Sequence, residues 1–400
     1  AKDVENGSLI IQNRFLYTDL KNYNFKWELL KNGDVAASGT LQVSLPAGSS
    51  KEVKLPLPAL QQESGAEYLL NVYAYTKYPS EMIPEGHEVA REQFVLNGNS
   101  YFAGQKSTTG AIDMKEENNV LFFTCGDVRI SFNKRNGELN GYRYQDKMLL
   151  GHAPQPQFWR APTDNDFGNR MGILCNVWRT AGQNKEFKGM NVERKDGAVT
   201  LTSIYYLRDV ASDYTVKYTV YADGRVEVNG SWKAGNIALP EIPRFGMQMT
   251  LAQEFDQFSW YGRGPWENYS DRNTASFIGK YTSTVDEQYV AYIRPQENGN
   301  KTDVRWLTLT NKEGFGLRID GLQPLSVSAL RNYPEDFDAG LTKSQRHIND
   351  INPRKAVVLH VDLAQRGVGG DNSWGMYPHE PYLLKAKEYT YGYVISPVAK

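Results

Sequence analysis

Along this sequence apolar side chains recur at every second position, and the runs stop at Asn-Gly or Asp-Gly. Phe25, Trp27 and Leu29 alternate with Lys26 and Glu28 before Asn32-Gly33. Val128, Ile130 and Phe132 alternate with polar residues before Asn136-Gly137. Tyr214, Val216, Tyr218 and Val220 run into Asp223-Gly224, and Val226 and Val228 lead out again. Neighbouring side chains of a strand point to opposite faces, so period two writes one buried face. Asn-Gly and Asp-Gly accept the positive φ that a tight hairpin needs. Helical periodicity is scarce, with one turn expected at 286–292. The pattern dictates an all-β protein.

At 400 residues the chain exceeds the usual size of one domain, so two are expected. A polar passage rich in Gly, Ser and Thr at 98–118 separates two strand-rich blocks. A single domain with so long a structureless loop is the weaker alternative, because such loops are uncommon. Residues 1–97, with roughly seven short strands and turns at Pro46-Ala47-Gly48 and Glu63-Ser64-Gly65, predict a small immunoglobulin-like β-sandwich. Residues 119–400 are too many for a simple sandwich and predict a large antiparallel sheet that curls around a concave face.

Composition narrows the partners. The 45 basic and 46 acidic residues nearly cancel, and no Lys/Arg run supplies the patch that nucleic acid or an anionic membrane would require. No apolar stretch is long enough to span a bilayer, and no signal peptide opens the sequence. An internal fragment would show neither, so a soluble protein of cytoplasm or periplasm is expected and the compartment stays open. Cys125 and Cys175 make neither a metal spacing nor a disulfide framework. The 25 Tyr, 16 Phe and 8 Trp suit sheet packing, and they also suit sugars, whose C–H faces lie on rings.

Four segments read as loops that place charge beside aromatics: 158–168, 260–272, 295–299 and 367–375. Glu267 and Glu297 each stand in a Pro-x-Glu-Asn setting that invites a glycosidase pair. A retaining pair needs its carboxyls about 5–5.5 Å apart, which spacing in sequence cannot supply. The plainer alternative has these Glu and Asn side chains bonding loop backbone. Asp164 and Asp166 suggest a hard-cation site weakly and a turn cap more strongly. The histidines at 87, 152, 347, 360 and 379 have no ligand spacing, and no nucleophile elbow, phosphate loop or zinc motif is present.

Those four loops carry a resemblance. FWRAPTDND at 158–166, GRGPWENYSDR at 262–272, PQENG at 295–299 and GVGGDNSW at 367–374 resemble, in order and spacing, the C-terminal domain of the large β-galactosidases of glycoside hydrolase family 2. The resemblance covers about 119–400, and NGSLIIQNRFLYTDLKNYNFKWELLKNG at 6–33 is similar to the immunoglobulin-like domain that precedes it.

The resemblance implies a galactose-mutarotase-like supersandwich for 119–400. It also implies retaining hydrolysis of terminal β-galactosides by two glutamates on a TIM barrel that this sequence does not resemble. No catalytic residue, metal ligand or cofactor is therefore expected here, any metal ions of the parent family being held mainly elsewhere. The implied partners are the N-terminal and barrel domains of the same enzyme, a galactoside, and further copies of the parent enzyme.

In the family the tryptophan of the GGDxSW loop stacks on the leaving-group side of the substrate. It maps to Trp374, with Asp371 and Asn372 in the same loop. A mobile loop follows the TDND string and maps to Gly168, Asn169 and Arg170, although the sequence departs from the family beyond Gly168. An indole flanked by Gly and polar residues has few neighbours along the chain to pack on, which favours contact with a ligand or another domain. An indole folded under its own loop is the alternative. Asp164, Asp166, Trp266, Glu267, Asn268, Glu297 and Asn298 are further candidates for a sugar-facing surface. Two other functions remain open: a galactoside-binding module without chemistry, and a mutarotase-type epimerase. The epimerase needs a positioned histidine, and none lies in the four loops.

Overall fold

The computed structural model describes residues 3–60, 63–96, 101–102, 110–338, 340–341 and 346–399. It is almost entirely antiparallel β-structure and separates into two compact units, Ala1–Gln105 and Lys106–Lys400. Of the expected 98–118 linker, residues 98–100 and 103–109 lie outside the described residues. Its end does not behave as a linker: Asp113–Glu117 is a strand, paired with Val120–Cys125 through the tight turn at Asn118 and Asn119, both at positive φ. Backbone pairing there overrides a polar composition that gave no hydrophobic signal.

In the first unit a four-stranded sheet runs Asp34–Leu41, Tyr23–Lys31, Tyr68–Thr76, Glu88–Val95, and a two-stranded sheet pairs Ser8–Gln12 with Ser50–Lys54. Six strands are present among the described residues, against about seven expected. The Asn32-Gly33 hairpin forms as read, with both residues at positive φ. Trp27 and Leu29 face the core with Leu70 while Lys26 and Glu28 pair outside.

The second unit holds a five-stranded sheet and a 12-stranded sheet. Val128, Ile130 and Phe132 of the smaller sheet join one continuous core with Tyr214, Val216, Tyr218, Val226 and Val228 of the larger. The strands Ser212–Val220 and Val226–Trp232 pair with Tyr218 opposite Val228, so the alternation read in the sequence lands on one buried face. The large sheet branches where Gln257–Gly264 pairs with both Phe277–Thr284 and Lys301–Thr310.

The long crossings between strands carry the polar strings. Two of them are not wholly loop: residues 260–264 belong to the strand Gln257–Gly264, because they pair with Phe277–Thr284. In the other, Thr163 and Asp166 cap each other's backbone and start a short helix, Asp164–Gly168, followed by Met171–Leu174. The turn expected at 286–292 is a 3-10 turn, Asp286–Gln288.

Candidate functional site

The four strings, far apart in sequence, line one cleft of about 390 Å³. Thr163, Asp164 and Asn165 come from the first, Tyr269 and Arg272 from the second, Gln296 and Glu297 from the third, and 368–370 with Asn372 and Ser373 from the fourth. Backbone-directed amides tie them together. Asn165 donates through Nδ2 to the Met376 carbonyl (2.8 Å) and accepts from the Gly375 N–H (2.9 Å). The Asp164 N–H donates to Gln296 Oε1 at 3.0 Å, and the Gly369 N–H donates to Asp271 at 2.7 Å.

Beneath the cleft the charged groups are already spent on one another. Asp166, 1% exposed, lies between Arg160 (2.8 Å) and Arg366 (2.7 Å) and also accepts the Thr163 N–H. Glu267 accepts from Arg272, Tyr292 and the Gly299 N–H, the last at 2.7 Å. Glu297 accepts from Arg244 (2.9 Å) and Gln365 (3.3 Å). Asn268 is fully buried, its oxygen accepting from Thr302 N–H (2.9 Å) and Oγ1 (2.6 Å). Asn298 accepts from the Val290 N–H and donates to the Gln296 carbonyl. Asp166, Glu267, Asn268 and Asn298 do not line the cleft, and their polar atoms are consumed by the chain itself. Burial without a partner is costly, so these residue types persist in the interior because they bond to each other and to loop backbone.

Arg244, at the start of strand Arg244–Ala252, anchors the floor beneath Glu297. It also meets His360 Nδ1 at 2.6 Å and stands 3.4 Å from Asp362, both on strand Ala356–Gln365. With Arg244 able only to donate, His360 Nδ1 is the acceptor, so the ring is neutral. Burial first, and then Arg244, hold its pKa well below the usual range. Burial pushes the Asp362 carboxyl up to about 8 despite Arg244. Sequence reading missed Arg244, Tyr269, Arg272 and Gln365 as floor residues. An arginine within an apolar strand is the one signal that could have found Arg244, because a buried guanidinium requires acceptors.

The rim is different. Trp374 is 77% exposed, with its N–H donating to Asn372 Oδ1 at 3.1 Å. Gly168 packs against this loop so closely that a Cβ would lie 2.5 Å from the Trp374 carbonyl oxygen. Gly168, mapped by resemblance to a mobile loop, is here a close-approach glycine that seats the Trp374–Gly375 peptide. Asn372 lines the cleft while capping its own loop, and Asp371 meets His379 at 2.7 Å on the exposed side. Asp164 lines the cleft, half exposed, with Arg294 3.3 Å away. Asn169 is buried and accepts the Met171 N–H, its amide nitrogen unpartnered, whereas Arg170 is exposed in the left-handed region. Trp266 stands 68% exposed beside Glu267. None of the histidines lines the cleft, and among the described residues no group of three His, Cys, Asp or Glu gathers to hold a metal. No helix among them is long and apolar enough to cross a membrane.

Known proteins match along the whole chain. The family model described as β-galactosidase small chain matches residues 124–395, and that of β-galactosidase domain 4 matches 9–97. A β-galactosidase of Priestia megaterium is 34% identical over all of this chain and 38% of its own length. Those of Lactobacillus delbrueckii subsp. bulgaricus and Halalkalibacterium halodurans are 30% and 29% identical, over 96% and 95% of this chain and 37% of theirs. The chain therefore spans under two fifths of the length of these relatives. A solved galactose 1-epimerase from Lactobacillus acidophilus aligns over 73% of this chain and 100% of its own, with 6% identity and a TM-score of 0.42.

Proposed function

This chain belongs to the β-galactosidase small-chain family, and from that premise we propose that it completes the leaving-group side of a β-galactoside site. The glutamates that cleave the bond belong to the part of the enzyme this sequence does not cover. The observation that carries the reading is Trp374: a largely exposed indole that follows Ser373, which lines the cleft, its peptide seated against Gly168. An indole face offers stacking to a sugar or aromatic leaving group and needs no polar partner within the chain. Asp371 and Asn372 hold its loop, Asp164 lines the cleft, and the exposed Arg170 follows the helix that ends at Gly168.

Retaining hydrolysis requires one carboxyl to protonate the glycosidic oxygen and another, about 5–5.5 Å away, to attack the anomeric carbon. Glu267 and Glu297 are each bound to an arginine and to further donors, so neither is free for either task. Exposed Trp266, Ile293, Trp374 and Met376 make the cleft side apolar enough to dock against the barrel and N-terminal domains of the parent enzyme.

The test has two arms. Purified chain should not turn over a nitrophenyl galactoside; turnover abolished by Glu267→Gln or Glu297→Gln would overturn the reading. In the full-length enzyme, Trp374→Ala should weaken substrates with a sugar or aromatic leaving group by about 1–3 kcal/mol, with KM rising more than kcat falls. Trp374→Phe should recover part of that loss. An unchanged KM with a sharply lowered Tm would make the indole a packing residue.

A further inference from the structure

The carboxylates beneath the cleft are spent, but several donors on its walls are not. Gln296 Oε1 accepts the Asp164 N–H at 3.0 Å, which fixes the amide and leaves Nε2 with no partner among the described residues. Asn372 Oδ1 accepts the Trp374 and Met376 N–H groups at 3.1 and 3.3 Å, so Asn372 Nδ2 is unspent in the same way. Neither amide nitrogen is sealed from solvent. Arg272 gives only Nη2, to Glu267 and to the Tyr292 hydroxyl, and keeps Nε and Nη1. These three residues line the cleft together with the exposed Ser373 and with Asp164, whose half-exposed carboxylate is an acceptor.

What such a wall accepts follows from its balance. Asp164 is matched by Arg294 and Arg272 by Glu267, so the cleft asks its occupant for no net charge. It asks for oxygen atoms that accept from the two amides and the guanidinium, and for a hydroxyl that donates to Asp164. A sugar ring carries both on one face. An apolar segment laid over the same wall would strip the donors of water and return nothing, which is costly. The volume of about 390 Å³ falls in the range of small-molecule sites, about 300–1,000 Å³. Position decides which part of a substrate is met: Ser373, on the cleft wall, directly precedes Trp374, so an occupant sits one residue along the chain from the stacking indole.

We propose that the cleft is a subsite for the second sugar of an oligosaccharide leaving group, a neutral pyranose one unit beyond the ring on Trp374, held by Gln296 Nε2, Asn372 Nδ2, Arg272 and Asp164. It rests on the Trp374 reading above, and its test separates the two. Full-length enzyme is assayed for galactose release from a β-galactoside of glucose and from a β-galactoside of cellobiose, which differ by one sugar on the leaving side. Gln296→Met keeps the length of the side chain and removes the donor. It should lower kcat/KM for the cellobiose substrate at least about fivefold more than for the glucose substrate, through KM. Should Gln296→Met fail to fold, Ser373→Leu, at an exposed position, fills the cleft and carries the same expectation. Trp374→Ala should lower both substrates alike. A folded cleft variant that lowers both substrates equally, or neither, overturns the subsite, while loss on Trp374→Ala keeps the indole reading standing. A Trp374→Ala enzyme unchanged on both substrates removes that reading and the subsite with it.

Discussion

The floor and the rim of the cleft draw on the same four sequence strings, but their polar groups are in opposite conditions. On the floor, Asp166, Asn268 and Glu297 are buried and Glu267 half-buried, and each accepts two or more hydrogen bonds from the chain. On the rim, Trp374, Trp266, Asp164 and Arg170 are exposed, Asp164 with Arg294 3.3 Å away. A signature string therefore mixes two kinds of residue: those that build a rigid loop cluster and those the cluster presents. Charge alone does not distinguish them, since a buried carboxylate next to arginine is as conspicuous in sequence as a free one.

The comparison breaks most decisively at Asp166. Asp166→Asn leaves Arg160 without a carboxylate and Arg366 with only Glu241, at 3.3 Å. Leaving a buried charge uncompensated costs about 3–5 kcal/mol, so Tm should fall by on the order of 10 °C. An unchanged melt would mean that the floor is not held by its ion pairs.

Lys301 tests the floor with the opposite sign. It is buried, donates to the Gly299 carbonyl at 3.2 Å, and burial pulls its pKa down to about 8, with Glu267 opposing. A lowered lysine pKa means that the folded chain disfavours the charged form. The penalty is full below about 8 and fades as pH rises towards the ordinary lysine value near 10.4. Lys301→Met should stabilise by about 2 kcal/mol at pH 7, with the gain shrinking as pH rises through that window. A gain independent of pH, or none, would show that the ammonium is well compensated.

Gly168→Ala probes the seam between floor and rim. Its methyl group would press on the Trp374–Gly375 backbone, at a cost of about 1–2 kcal/mol in thermal unfolding. In the full-length enzyme it should raise KM in the same direction as Trp374→Ala, because it moves the same loop. Loss of stability without any change in KM would uncouple the glycine from the indole.

The smallest stability effect belongs to the rim itself. Trp374→Ala should change the unfolding free energy by less than about 0.5 kcal/mol, as for a surface residue. A larger loss would make Trp374 a packing residue and erase the contrast.

How far the sequence could be read depends on the range of the interaction. Strand alternation through Val128–Phe132 and Tyr214–Val220 was legible because each side chain's face follows from its own position in the chain. The end of the expected linker, 113–117, was not, because its five residues are all exposed and are ordered only by pairing with Val120–Cys125. In the site, the strings named the loops, and Trp374 stood out as an indole without local packing. Arg244 and Gln365 are harder to read, for each is a polar residue at the end of a strand whose partners lie far away in the chain.

By itself, then, the sequence determined the all-β class, the hairpins at Asn32-Gly33 and Asp223-Gly224, and the four strings that bear the site, all through period and turn chemistry acting over a few residues. Only the tertiary structure decided which members of those strings are free. Glu267 is engaged by Gly299, Glu297 by Arg244 and Asp166 by Arg366, pairings 32, 53 and 200 residues apart. Desolvation and charge pairing act through space, so the same carboxylate is a structural anchor or an open ligand according to which distant arginine the fold brings beside it.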